Sequence, residues 1–142
     1  MPPELQSPEI QAFAIGFPTT LLHAGVAILI LVLAAALYIV LTPHKEVALI
    51  REGNAAAAVS LGGVLVGLAA PLALSLNSST SLIEICVWGV STVMVQLLVF
   101  RLVDIMLRGL PQRIQDGEVA AAALLVGAKL ATALILSAAV AP

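Results

Sequence analysis

Four long apolar segments constrain the fold of this 142-residue chain more than any other feature. Each has about the 20 apolar residues that an α-helix needs to cross a bilayer. Only 10% of the residues are charged, against about a quarter in a typical soluble domain. Because the apolar runs are continuous and do not alternate with polar residues, they exclude a transmembrane β-barrel. The sequence therefore predicts an all-α membrane protein with four transmembrane helices: Thr20–Leu41, Ala55–Leu76, Ile85–Val103 and Val119–Ala141.

A short signature recurs at a spacing of 64 residues. Arg51–Asn54 reads Arg-Glu-Gly-Asn and precedes the second apolar segment, and Gln115–Glu118 reads Gln-Asp-Gly-Glu and precedes the fourth. Each copy is an acidic-glycine turn that opens an Ala-rich helix. The pattern predicts two copies of a two-helix hairpin, with residues 1–19 as an N-terminal segment, 20–78 as the first repeat and 79–142 as the second.

The basic residues predict the orientation. Five of the six lie between the first and second segments or at and after the end of the third, and the chain termini carry none. Because cytoplasmic loops are enriched in Lys and Arg, both of these loops are expected in the cytoplasm and both termini outside. The two hairpins then have the same orientation, which makes them parallel repeats. The five residues are Lys45, Arg51, Arg101, Arg108 and Arg113.

The N-terminal stretch carries its own helix-start signal, with Ser7 as N-cap and Pro8 in the first turn. Two structures fit it: a short interfacial helix on the outer leaflet, or the start of the first transmembrane helix. Gly16 and Pro18 favour a break between the two. The first segment lacks a basic leader and is too long for a signal peptide, so we expect it in the mature protein.

Small residues predict close helix packing. Gly63 and Gly67 form a small-xxx-small motif in the second segment, and Gly127 and Ala131 form another at equivalent positions in the fourth. Such motifs let helix backbones approach closely in lipid, either within a protomer or between subunits. Pro71 lacks an N–H, so it is expected to kink its helix and free the Gly67 carbonyl. That carbonyl would coordinate an ion or bond to a neighbouring polar side chain.

Lys129 lies about 15 Å into the fourth helix, near the middle of the bilayer. An intramembrane cation indicates a functional site and needs a partner, for which Thr92, Gln96 and Glu84 on the third helix are candidates. The alternative is a lysine that snorkels along a groove or faces a wet subunit interface. Gln96 is a single amide that we expect to bond across to another helix.

The predicted cytoplasmic loops contain the remaining candidates. His44 and Glu46 belong to a mixed-sign loop, where a single histidine is expected to be solvated. Asn54 and Asp116 precede Ala-rich helices and are expected to cap them. The functional alternative is that the two helix N-termini form an anion-attracting vestibule. No residue pattern indicates a metal, a cofactor, a catalytic constellation or a nucleic-acid surface.

The chain also resembles a known family, the YjfL-like bacterial inner-membrane proteins with a domain of unknown function (number 350). The resemblance runs from about His23 to the C-terminus, and the family's expected ending is replaced here by Leu136–Ala139. It implies a four-helix, duplicated protein of the bacterial inner membrane, with no activity or ligand attached. It also implies a small residue where this chain has Lys129. The residues that carry it are Thr42-Pro43-His44-x-Glu46-x-x-Leu49-Ile50, Asn54-x-Ala56-Ala57, Gly63-x-x-x-Gly67-x-x-x-Pro71-Leu72 and Gln96–Phe100.

Two functions from different classes fit these observations. The first is an oligomeric structural or interaction subunit whose charged cytoplasmic face binds a protein partner. The second is a small ion or solute channel or transporter, formed by a homo-oligomer and using Lys129, Gly67, Pro71 and Gln96. A bundle this small has little interior, so a homo-oligomer is expected in both cases. An enzyme is not expected, and the lipid bilayer is the predicted surrounding.

Overall fold

The computed structural model describes residues 7–43, 45–78 and 81–140, with the backbone alone for Ser78 and Val140. All regular elements in these residues are α-helices, and four of them are long and apolar enough to span a membrane. The predicted all-α membrane class is therefore confirmed. The helices are α1 Pro8–Leu41, α2 Glu46–Arg51, α3 Ala55–Ser78, α4 Leu82–Leu107, α5 Leu110–Gln115 and α6 Val119–Val140.

Helix α1 is a single helix of 34 residues, about 51 Å long. It begins at the predicted start signal, where the Ser7 hydroxyl accepts a hydrogen bond from the Ile10 amide and Pro8 occupies the first turn. The break expected near Gly16 is not present, so there is no separate interfacial helix. Pro18 lies inside α1, where it has no N–H to donate to the Ala14 carbonyl.

The two short helices, α2 and α5, have the same length and are followed by the same turn. Gly53 has φ of 86° and Gly117 has φ of 82°, a left-handed conformation that glycine adopts without steric strain. In each turn the glycine amide donates to the carbonyl three residues earlier, and the next amide donates to the carbonyl five residues earlier. These bonds are Gly53 to Ile50, Gly117 to Ile114, Asn54 to Leu49 and Glu118 to Arg113.

Helices α3 and α6 form the most intimate pair of the bundle, and α1 and α4 pack beside them. Gly63 makes this approach possible, because a Cβ atom built there would lie 2.8 Å from Val126 Cγ1. The second small-residue motif does not share this role. Gly127 and Ala131 are exposed, and a Cβ at Gly127 would meet no atom within 4 Å. Of the two alternatives for these motifs, the first motif therefore packs within the protomer, and the second does not.

Within the described residues, α1 and α6 make little direct contact, whereas each packs on α3 and α4. The two therefore occupy opposite corners of the bundle. A side chain that reaches from α6 to α1 must pass through the centre. The buried apolar core includes Leu68 and Leu125 from the central pair. Leu110 and Ile114 from α5 close it at the end of the bundle where α2 and α5 lie, which we call the loop side.

Candidate functional site: a buried polar cluster around Lys129

Lys129 crosses the bundle from α6 to α1. Its side chain is 0% exposed, and its ammonium donates a hydrogen bond to the Tyr38 hydroxyl. The ammonium also lies 4.1 Å from the centroid of the Tyr38 ring and 5.6 Å from that of Phe100. Aromatic faces attract a cation that has lost its water, so both rings compensate part of the cost of burial. Lys129 therefore neither snorkels to water nor faces a subunit interface.

The partner of Lys129 differs from the three candidates on the third predicted helix. Helical side chains point back toward the N-terminus of their own helix. The Lys129 ammonium is therefore carried toward the loop side, where Tyr38 and Glu46 lie. The Glu46 carboxylate interacts electrostatically with the Lys129 ammonium and with the Tyr38 hydroxyl. Nothing in the local sequence indicates the contact with Tyr38, which is 91 residues away along the chain.

Glu46 is the first residue of α2 and is 0% exposed. Its Oε1 accepts a hydrogen bond of 2.9 Å from the Ser60 hydroxyl on α3. The sequence predicts Glu46 in a mixed-sign loop, but it lies in a helix, α2, which folds back onto α3 and turns this carboxylate inward. A carboxylate at a helix N-terminus is favoured by the helix dipole, but its burial requires a cationic or hydrogen-bonding partner.

Gln96 lies beside the cluster and joins three helices. Its Nε2 donates to the Lys129 carbonyl at 3.2 Å and to the Gly67 carbonyl at 3.5 Å. Pro71 has no N–H to offer the Gly67 carbonyl, so Gln96 supplies a donor from α4. A Cβ at Gly67 would lie 2.8 Å from Gln96 Nε2, so the glycine makes room for the amide. The freed carbonyl is thus occupied by a side chain in this structure.

Asn54 and Asp116, the two predicted helix caps, have different roles in the structure. Asn54 caps α3, with its Oδ1 accepting from the Ala57 amide at 3.0 Å. Its Nδ2 also donates to the carbonyls of Ile114 and Gln115 at 2.9 and 3.0 Å, which ties the start of α3 to the end of α5. This second role was not predicted. His44 lies outside the described residues.

Asp116 is the C-cap of α5 and not the N-cap of α6. Its Oδ1 accepts from Gln112 Nε2 at 2.9 Å, because the Gly117 turn separates it from α6. Glu118 stands at the start of α6 and pairs with Arg113 through two contacts, one of them 2.6 Å between Nε and Oε2. The Arg113 hydrogen bond lowers the pKa of Glu118, and the same bond raises the pKa of Arg113.

The arrangement joins an acid, a cation, a phenol and an amide inside an apolar bundle. Among the described residues, no group of three or more His, Cys, Asp or Glu side chains is placed to hold a metal ion. The cluster instead consists of groups that exchange protons or hydrogen bonds. Ionisable residues at membrane depth are costly, and they mark ion or proton pathways more often than architecture.

Comparison with known proteins agrees with the resemblance. The family described as Domain of Unknown Function (DUF350) matches residues 12–140. The chain belongs to this family. The UPF0719 inner membrane protein YjfL of Escherichia coli (strain K12) is 34% identical over 107 residues, which cover 75% of this chain and 80% of that protein. The protein of the same name from Escherichia coli O157:H7 matches with the same values.

No solved structure is significantly similar to the chain. The family assignment and the four apolar helices together make the chain a multi-pass member of a family of inner-membrane proteins. The predicted family resemblance is confirmed.

Proposed function

We propose that this protein is an oligomeric structural or interaction subunit of the bacterial inner membrane, built from two parallel copies of a helical hairpin. The ends of α1 and α4, together with α2 and α5, face the cytoplasm, and both termini are periplasmic. The positive-inside distribution of Lys and Arg supports this orientation. The duplication is supported by the spacing of 64 residues, which carries α2 onto α5 with the same length and turn.

The observation that carries the oligomer proposal is the outward position of Gly127 and Ala131. The motif of Gly63 and Gly67 is buried inside the protomer, whereas these two residues are exposed, and a Cβ at Gly127 would meet no atom within 4 Å. In lipid, exposed small residues four apart favour helix association, since neighbouring backbones can approach closely. We therefore assign this face of α6 to contact with a second copy of the chain.

The N-terminal part of α1 supports the same proposal. All residues from Pro8 to Leu22 are exposed, and several are large and apolar, such as Phe13 and Phe17. A helix of about 51 Å exceeds the bilayer core of about 30 Å, so this part of α1 extends beyond the other helices. Apolar side chains outside the bilayer core are stabilised by contact with protein.

The proposed partner surface is the loop side. Lys45, Arg51, Glu52 and Arg108 are exposed there, and both signs of charge are present. A mixed surface of this kind selects a partner by complementary charge and steers its approach. The interaction subunit would therefore bind a cytoplasmic or membrane protein at this face while α6 holds the oligomer together.

The test of the oligomer is the mass of the purified protein in lipid nanodiscs or mild detergent, with Gly127→Leu as the key variant. We expect wild type to be oligomeric and Gly127→Leu to be a folded monomer, because a Cβ at Gly127 meets no atom of its own protomer within 4 Å and the position is exposed. Gly25→Leu is the matched control, since Gly25 on α1 also has no neighbour within 4 Å. A monomeric wild type, or an oligomer unaffected by Gly127→Leu, would contradict the proposal.

A small ion or solute channel or transporter is the second candidate, and the buried ionisable cluster favours it. Lys129, Gly67, Pro71 and Gln96 are all buried within one protomer. Their position supports a path through the protomer over a path between subunits. Ion flux into proteoliposomes, compared between wild type and Lys129→Met, tests this candidate.

A further inference from the structure

The buried polar residues of the bundle follow one another from the loop side to the opposite side. Measured from the loop-side end of its own helix at about 1.5 Å per residue, Ser60 lies about 8 Å deep, Gln96 about 16 Å and Thr92 about 23 Å. Ser137 and Ser75 lie deeper, at about 27 and 30 Å on the same scale. All five are buried. These depths span about 22 Å, which is about three-quarters of a bilayer core of about 30 Å.

Helix periodicity relates the deeper side chains to the groups that meet at Gln96. Thr92 is one turn from Gln96 on α4, so both face the same side. Ser75 follows Gly67 by eight residues on α3, and Ser137 follows Lys129 by eight on α6, both within one helix stripe. Gln96 bonds to the carbonyls of Gly67 and Lys129, so the three helices that carry the deeper residues meet at this amide.

Two atoms along this series are orphaned. Gln96 Oε1 and Ser137 Oγ are buried and have no hydrogen-bond partner among the described residues. Buried polar groups in proteins are nearly always satisfied, and an isolated one that lacks a protein partner is the kind of group that ordered water bridges. The amide is thus bonded on its Nε2 side to the helix backbones and presents its Oε1 as an acceptor.

At the position that corresponds to Glu46, the second half of the chain shows that the hairpin does not require a polar group. Under the proposed duplication, each polar residue has a counterpart 64 positions away, and each counterpart is apolar. Leu110, the counterpart of Glu46, is fully buried like the glutamate. An apolar side chain is therefore compatible with that buried position of the hairpin. The other counterparts are also apolar, but they are exposed on the outside of the bundle. They are Leu65 for Lys129, Leu102 for Tyr38, Val32 for Gln96, Ile28 for Thr92, Leu124 for Ser60, Ala139 for Ser75 and Ala73 for Ser137.

We propose that this column of buried polar side chains is a proton path within one protomer, from Glu46 at the loop side to Ser75 and Ser137 at the opposite side. The path does not depend on the oligomer proposed above, and it names the proton as the species that the second candidate function would carry. The titratable groups that face Lys129 are Tyr38 from α1 and Glu46 from α2. Helix α3 carries no charged residue, and those of α4 lie within its first and last two turns.

The transfer balances without any redox partner. A proton from the loop side forms an O–H bond on the Glu46 carboxylate and weakens its attraction for the Lys129 ammonium. One N–H bond of the ammonium then breaks as its proton passes to a water at Gln96 Oε1, and onward past Thr92. The Glu46 proton moves to the neutral Lys129 amine, which restores the starting charges. Each complete round of this cycle moves one proton across the bundle.

The test is proton uptake by proteoliposomes that contain the purified protein and an internal pH dye, with potassium and valinomycin to balance charge. We expect wild type to transfer protons faster than empty liposomes. Thr92→Val, nearly isosteric and apolar, should lower the rate about tenfold, the equivalent of one lost hydrogen bond. Lys129→Met and Gln96→Leu should abolish it.

Ser91→Ala is the matched control. Ser91 neighbours Thr92 on α4 and bonds to its own helix in the same way, to the Val87 carbonyl, but it is exposed to the outside of the bundle. Ser91→Ala should keep the wild-type rate. No proton transfer by wild type, an unchanged rate in Thr92→Val, or an equal loss in Ser91→Ala would each overturn the proton path. The mass measurement on the same samples reports separately on the oligomer.

Discussion

Glu46 and Lys129 are buried groups of opposite charge, and their electrostatic attraction yields a prediction about stability that a double-mutant cycle tests. Both side chains are 0% exposed, so neither charge is solvated when its partner is removed. Glu46→Leu leaves the Lys129 ammonium with the Tyr38 hydroxyl and two rings, and Lys129→Met removes the buried cation that attracts the Glu46 carboxylate. Breaking a buried pair from one side costs about 3–5 kcal/mol, so each single variant should lose that much stability.

The double variant is expected to behave differently. Replacing a buried ion pair by apolar groups of similar volume is often neutral or stabilising, by about 1–4 kcal/mol. Leucine already occupies the position 64 residues after Glu46, where it is fully buried. Glu46→Leu with Lys129→Met should therefore recover most of the stability lost in either single variant. The coupling between the two sites should be several kcal/mol.

The assay is reversible unfolding in mixtures of mild detergent and dodecyl sulfate, followed by circular dichroism. A matched control is Arg101→Met, which removes an exposed cation whose pair with Asp104, at 3.7 Å, is on the surface. It should cost less than about 1 kcal/mol. Additive effects of Glu46→Leu and Lys129→Met would refute the reasoning, because two charges that do not interact would have been removed independently.

Two further predictions concern the surroundings of the cluster. Gly67→Ala should destabilise the bundle by about 1–3 kcal/mol, because the new Cβ would displace the Gln96 amide, and Gly127→Ala should be neutral in the same unfolding assay. At pH values above the unfolded carboxyl pKa of about 4.3, the pair with Arg113 is present. Glu118→Gln should therefore lower the midpoint temperature of thermal unfolding in that pH range. Pairing lowers the pKa of Glu118 in the folded state, so the higher midpoint of wild type should disappear as the pH falls through that folded pKa. A difference in midpoint between wild type and Glu118→Gln that persists in strong acid would contradict this prediction.

The four long helices were predictable because lipid imposes a length and a composition on any segment that crosses it. The glycine turns were predictable as well, since Gly53 and Gly117 stand in the same signature before an Ala-rich run. The short helices α2 and α5 were not, because six residues are too few to show a periodicity. For the same reason the burial of Glu46 could not be read from its neighbours.

The site was predictable only in part. Lys129 and Gln96 attract notice because polar residues are rare inside apolar segments. The partner of Lys129 depends on which helices occupy opposite corners of the bundle, and no pattern within one segment specifies that arrangement. Tyr38 carries no signal of its own, since a tyrosine near the end of a membrane helix is ordinarily an interfacial anchor.

The central position of α3 and α6 has a consequence for biosynthesis. These two helices come from different halves of the chain, so the hairpin of α1 and α3 enters the membrane before its main packing partner exists. At about 5–20 residues per second, the 62 residues between Ser78 and Val140 take about 3–12 seconds to synthesise. Throughout that interval the close-packing face around Gly63 is uncovered and Glu46 has no lysine. The nascent protein therefore depends on the insertion machinery, or on a neighbouring chain, to shield this half-bundle until its last helix arrives.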